Sequence, residues 1–135
     1  MGTRARIAVA NPDGTFNSIY THWDGYPSHH GPILLEHYNT VDAVRELIAL
    51  GDLSSLDTTI ETCSAYGRDR GETDVGAVTS NDIDKLRQLT QDCGGEYLYL
   101  FDGSWSVAEG GVAMFGLPAS EAPAGFQPLS ATDLR

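Results

Sequence analysis

Two arginines in a glycine-bounded segment are the residues best suited to hold an anion. They are Arg68 and Arg70, within Tyr66-Gly67-Arg68-Asp69-Arg70-Gly71-Glu72. A guanidinium presents forked donors that match phosphate or carboxylate oxygens two at a time. Flanking glycines would let backbone N–H groups approach the same anion, and Tyr66 adds an aromatic face. The competing arrangement is a solvated turn in which the arginines pair with Asp69, Glu72 or Asp74. A phosphate-binding loop of the G-x-x-x-x-G-K type occurs nowhere in the chain.

The second candidate is the polar, aromatic stretch from His22 to His30. Aromatic faces accept nucleobases without sequence preference, so Trp23 and Tyr26 could stack a flat ring. Otherwise these rings anchor a loop turned by Asp24-Gly25, with Tyr26 held extended before Pro27. Taken together, Trp23, Tyr26, Tyr66, Arg68 and Arg70 form the expected ligand-binding set. His22, Asp24, His29, His30 and His37 raise the question of a metal. Zinc ligands come as pairs at fixed spacing on held geometry, and adjacent histidines on a loop do not meet that demand. No metal and no other cofactor is expected.

Catalysis finds little support. Cys63 lacks a helix N-terminus or sharp elbow to activate it. Ser54, Ser55 and Ser104 fit loops, and a pairing of Arg68 with Glu72 as base is the weakest of these options. A non-enzymatic reading follows. Cys63 and Cys93 are too few for a disulfide framework and fit free thiols of a cytosolic protein.

Nineteen acidic residues against eight Lys and Arg give a net charge of −11. That field opposes contact with nucleic acid or anionic lipid. It maintains solubility, or it supplies an acidic face for docking on a basic protein. No apolar run reaches membrane-spanning length.

These groups must be held by a scaffold, and the sequence predicts an α+β one. Arg4 to Ala10 and Phe16 to Trp23 alternate with period two around Asn11-Pro12-Asp13-Gly14, a hairpin. Tyr97 to Phe101 and Trp105 to Ala108 flank Asp102-Gly103-Ser104, a second hairpin. Thr58 to Cys63 is β-branched and reads as a central strand. Helices are expected from Pro32 to Tyr38, after an Asn39 or Thr40 cap with the stripe Val41, Val44, Leu47 and Ile48, and after a Thr79/Asp82 capping box with the stripe Ile83, Leu86, Leu89 and Cys93. Residues 66–78 read as a long loop. The resulting sheet is mainly antiparallel, with two to three helices on one face. Leu98 and Leu100 would meet the helices. Tyr97, Tyr99 and Phe101 would lie on the opposite face, marking a homo-oligomer, most simply a dimer. Residues 1–109 make a single domain, and 110–135 form a Pro/Ala/Gly-rich tail.

Several segments together set a context. Met1-Gly2-Thr3-Arg4-Ala5-Arg6-Ile7, His22-Trp23-Asp24-Gly25-Tyr26-Pro27, Leu34-Leu35-Glu36-His37-Tyr38, the Tyr66–Glu72 segment and Tyr97-Leu98-Tyr99-Leu100-Phe101 resemble a family of small uncharacterised accessory proteins of tailed bacteriophages and prophages. The resemblance covers residues 1 to 108. It implies an accessory product working in the host bacterial cytoplasm and carries no catalytic residues. In that setting the two candidate loops point to a counter-defence protein that binds and sequesters a small anionic, nucleotide-like ligand. The acidic surface points instead to an inhibitor that contacts a host protein directly.

Overall fold

The computed structural model describes residues 3–109 and 127–128. Its first hairpin pairs β1 (Ala5–Ala10) with β2 (Phe16–Thr21). Two helices follow, α1 (Pro27–His37) and α2 (Val41–Ala49), and then β3 (Leu53–Ser55) and β4 (Ser64–Ala65). A short helix α3 (Tyr66–Arg70) leads to β5 (Val78–Ser80) and α4 (Ile83–Asp92). The second hairpin, β6 (Tyr97–Phe101) and β7 (Trp105–Glu109), ends the domain, and β8 (Gln127–Pro128) lies along β7. The expected tail, 110–135, otherwise lies outside the described residues.

Both hairpins share one sheet, in the order β4-β3-β2-β1-β6-β7-β8, with β5 alongside β2. The class is α+β, but the sheet is mixed rather than mainly antiparallel. β1 and β6 run parallel at its centre, and β2 and β3 are parallel where Thr21 meets Leu53. A parallel neighbour requires a long crossover, which here contains all four helices.

The helices therefore cover both faces, not one. Alternation sends Ala5, Ile7 and Val9 to one side, with Ile19, Tyr99 and Phe101 beside them in register. Leu34 of α1 and Val44, Leu47 and Ile48 of α2 close that core. Ala8, Leu98 and Leu100 point the other way and pack against Leu86, with Ile83 at the margin. The aromatic residues of β6 thus meet α1 and α2, and its leucines meet α4. Tyr99 and Phe101 are buried within the chain, so this face is not the surface on which an oligomer was expected.

Other local expectations shift for identifiable reasons. The helix expected at Pro32 starts at Pro27, which occupies its first position and leaves Pro32 inside. Thr40 caps α2 by accepting the Ala43 N–H at 3.2 Å. Residues 58–63 are not a strand. Thr59 and Thr62 bond to each other (2.7 Å between hydroxyls), and Cys63 N–H reaches Thr59 O. Such local threonine bonds compete with a sheet ladder, and the strands form on either side of this turn. Asp82, not Thr79, caps α4 through the Lys85 N–H at 2.9 Å, while Thr79 lies in β5. The 66–78 segment holds α3 and the start of β5 rather than a continuous loop. Cys63 and Cys93 are free. Among the described residues no helix is long and apolar enough to cross a membrane.

Candidate functional site

The chain leaving β2 stays extended along β3. His22 N–H donates to Leu53 O at 3.1 Å and Trp23 N–H to Ser54 O at 3.0 Å. It then turns sharply, with Asp24 at a φ of 58°. Gly25 follows, its N–H on Thr3 O at 2.8 Å. A Cβ at Gly25 would meet Ala5 Cβ and Thr3 O, each at 2.7 Å, so only glycine fits this approach. The turn leaves Trp23 43% exposed and Tyr26 38% exposed.

Trp23 ends a short line of rings. Its ring meets His22 edge-on at 4.7 Å, and His22 meets Tyr20 at 6.0 Å. The Tyr20 hydroxyl lies 2.6 Å from His22 Nδ1. Burial pushes the Tyr20 pKa up, opposed by the adjacent Arg4 charge, so the phenol keeps its proton at neutral pH.

Tyr66 and Arg70 reach the same region from α3. Tyr66 N–H donates to Asp52 O at 3.2 Å. The Arg70 guanidinium sits over the Tyr66 ring, 5.0 Å from its centre. Arg70 Nη2 also reaches Ser54 Oγ at 3.5 Å. Ser54 is therefore the junction: its carbonyl accepts from Trp23, and its hydroxyl faces Arg70. Of the expected set, Tyr66 and Arg70 contact each other, and Trp23 is linked to them through its backbone bond to Ser54.

Arg68 belongs elsewhere. Its Nε and Nη2 grip Asp69 at 2.9 and 3.0 Å, Nη1 donates to Ile60 O at 2.8 Å, and Nη2 donates to Cys63 O at 2.6 Å. Asp69 also accepts the Ala65 N–H at 2.8 Å. Arg68, then this N–H, hold the Asp69 carboxyl at about 2. The expectation that Arg68 and Arg70 clamp one anion is corrected here. Residues 66–70 are helical, and positions two apart on a helix do not face each other. Arg68 fastens the 60–65 turn, and Arg70 faces the rings.

Tyr26 also stands apart. It caps the start of α1, its ring meets His29 at 6.1 Å, and its hydroxyl is 3.4 Å from the Asp24 carboxylate. Among the described residues no ring contact joins it to Trp23. His29 bonds Leu56 O at 3.3 Å, and His30 is buried against Thr21 Oγ1 at 3.0 Å. No group of three or more His, Cys, Asp or Glu among the described residues could hold a metal ion.

The sequence reading gave no site role to Arg4, Arg6 or Tyr20; it set His22 in the polar-aromatic loop and read Ser54 as a loop residue, whereas Ser54 lies in β3. Arg6 and Tyr20 are cross-strand partners, and so share a face of the sheet. Strand alternation alone could have put Arg4, Arg6 and Tyr20 on one face. Together with Arg70 the arginines account for three of the chain's eight Lys and Arg. Comparison with protein-family models, with curated proteins and with solved structures gives no match.

Proposed function

We propose that the chain binds and sequesters a small anionic, nucleotide-like ligand on the face formed by Trp23, His22, Tyr66 and Arg70. The observation that carries this reading is the Ser54 junction, where the backbone N–H of an exposed tryptophan and a cation held over a tyrosine ring both bond one residue. Trp23 stacks the base, the His22 Nε2 edge bonds the base edge or a ribose oxygen, and Arg70 takes the phosphate. Nothing in this arrangement positions a nucleophile, so the ligand is held rather than altered. In the phage setting that the sequence resemblance implies, sequestration of a host signalling nucleotide would act as counter-defence.

Calorimetry against cyclic dinucleotides, cyclic mononucleotides and ADP-ribose derivatives tests the reading. Trp23→Ala removes stacking of roughly 1–3 kcal/mol. Arg70→Ala should weaken binding at least about tenfold, one decade being 1.4 kcal/mol. Ligand recovered unchanged from heat-denatured protein supports sequestration, and altered ligand overturns it.

A second reading, inhibition of a host protein by direct contact, has its own support. Among the described acidic residues whose burial is assigned, every one except Asp52 is exposed. A basic protein recovered in stoichiometric amount from host lysate, with no nucleotide bound by the pure chain, would favour it.

A further inference from the structure

Arg6 is a buried charge without a counter-charge in contact. Its side chain sits on the α4 face of the sheet, between its register partners Tyr20 and Leu98. It is only 4% exposed. Nε donates to Ser18 Oγ at 2.7 Å, and Nη2 lies 3.5 Å from Ser18 O. Nη1 has no hydrogen bond to a described residue, yet it is not among the sealed side-chain atoms without a partner, such as His30 Nδ1 and Ser80 Oγ. That end of the guanidinium therefore reaches solvent. No carboxylate among the described residues forms an ion pair with Arg6. Asp52 feels the Arg6 charge, but its Oδ1 accepts the Tyr20 N–H at 2.9 Å.

Burying a cation without a partner is expensive, and a chain with nineteen acidic residues had many ways to supply one. Leaving the charge unpaired makes physical sense where an anion from outside completes it. Arg4 extends this feature. It is exposed, lies two residues before Arg6 and just ahead of β1, and its guanidinium passes Gly94 closely enough that Nη1 would be 2.9 Å from a Cβ there.

We propose that Arg6, with Ser18 behind it and Arg4 at its rim, forms an inner oxyanion subsite that takes a phosphate group. Ser18 fixes the Nε side, so the Nη1 side is presented without loss of rotamer freedom. The inference deepens the nucleotide reading by placing a second phosphate contact on β1, separate from Arg70 on α3. A strand spacing of roughly 4.8 Å puts β1 three strands, or about 14 Å, from β4, where α3 begins. At that separation the two contacts are independent, so an anion at Arg6 need not touch Arg70.

Titration with inorganic phosphate and pyrophosphate, followed by calorimetry and by the Arg6 Nε–Hε NMR resonance, tests this subsite. In the wild type that resonance should shift along the binding curve. Arg6→Met, which keeps the apolar stem, should weaken pyrophosphate at least tenfold while holding or raising the melting temperature. Arg6→Lys keeps the charge without the fork, and should weaken it at least threefold. Equal pyrophosphate affinity in wild type and either variant overturns the inference, as does an Arg6 resonance unmoved at saturation. These failures are distinct from failure of the nucleotide reading: nucleotides could still bind through Trp23 and Arg70, or pyrophosphate could bind through Arg6 while no nucleotide does.

Discussion

The Tyr99 hydroxyl donates to the Gly25 carbonyl oxygen at 2.6 Å, across 74 positions of sequence. The bond is buried. It ties the central parallel strand to the turn that presents Trp23. Burial also raises the Tyr99 pKa above the ordinary tyrosine value, so the donor proton is kept. Tyr99→Phe leaves the carbonyl unsatisfied and should cost about 1–3 kcal/mol in urea unfolding. An unchanged urea midpoint would show that the turn is held by Gly25 N–H alone.

Helices on opposite faces make a prediction about additivity. Leu47 of α2 and Leu86 of α4 are both buried, in separate clusters. Each change to Ala should cost about 2–5 kcal/mol. Because the sheet lies between them, the double variant should equal the sum to within about 0.5 kcal/mol. A coupling well beyond that would mean that both helices share one core.

His30 gives the fold an acid limit. Burial, then the neighbouring His29 charge, lowers its pKa from 6.5 to about 3. Between those values the unfolded chain binds a proton that the folded chain refuses. Stability from neutral His30 is therefore complete above pH 6.5 and lost as pH falls, by up to about 1.4 kcal/mol per unit. Asp13 and Asp69 have lowered values, so their contributions fade only near and below 3.8. Asp52 is raised by burial and acts in the opposite sense. Urea midpoints at pH 6.5 and 4.5 should differ in the wild type and differ less in His30→Gln. Equal differences would place the proton uptake elsewhere.

Arg68→Ala separates the two arginines of α3. Its partners are Asp69 and the carbonyls of Ile60 and Cys63. The variant should melt lower than the wild type and keep the wild-type affinity for whatever Arg70 binds. Loss of affinity at unchanged melting temperature would return Arg68 to the ligand site.

Much of the scaffold was legible because its signals are local. Period-two alternation and the Asn11–Gly14 and Asp102–Ser104 turns place both hairpins, and the stripes containing Leu47 and Leu86 place α2 and α4. What could not be read was relative placement. Alternation says that Tyr99 and Leu100 face opposite ways, but not which helix each will meet. The parallel β1–β6 ladder joins segments some ninety residues apart and leaves no local mark. At the site, Trp23, Tyr66 and Arg70 were legible from residue type. Arg68 was misread because a Gly-flanked segment looks like a loop, whereas five helical residues turn its two arginines apart. Tyr20 passed as an ordinary strand residue and His22 was read with the loop after it, since nothing local marks a hydroxyl that will meet an imidazole.

The outer edge of β2 is closed by two segments from different parts of the chain. β5 pairs with Phe16 to Ser18, β3 meets Thr21, and between them the Asp52 carboxylate accepts the Tyr20 N–H. Phe16 to Thr21 is a six-residue strand, and a bare edge of this kind is a template for pairing with another chain. Its protection rests on two three-residue strands and one side chain, all within residues 52–80. Local opening of that segment, without global unfolding, would expose the edge. Aggregation of this protein should therefore begin from a nearly native state, and mutual repulsion among chains of charge −11 is what slows it.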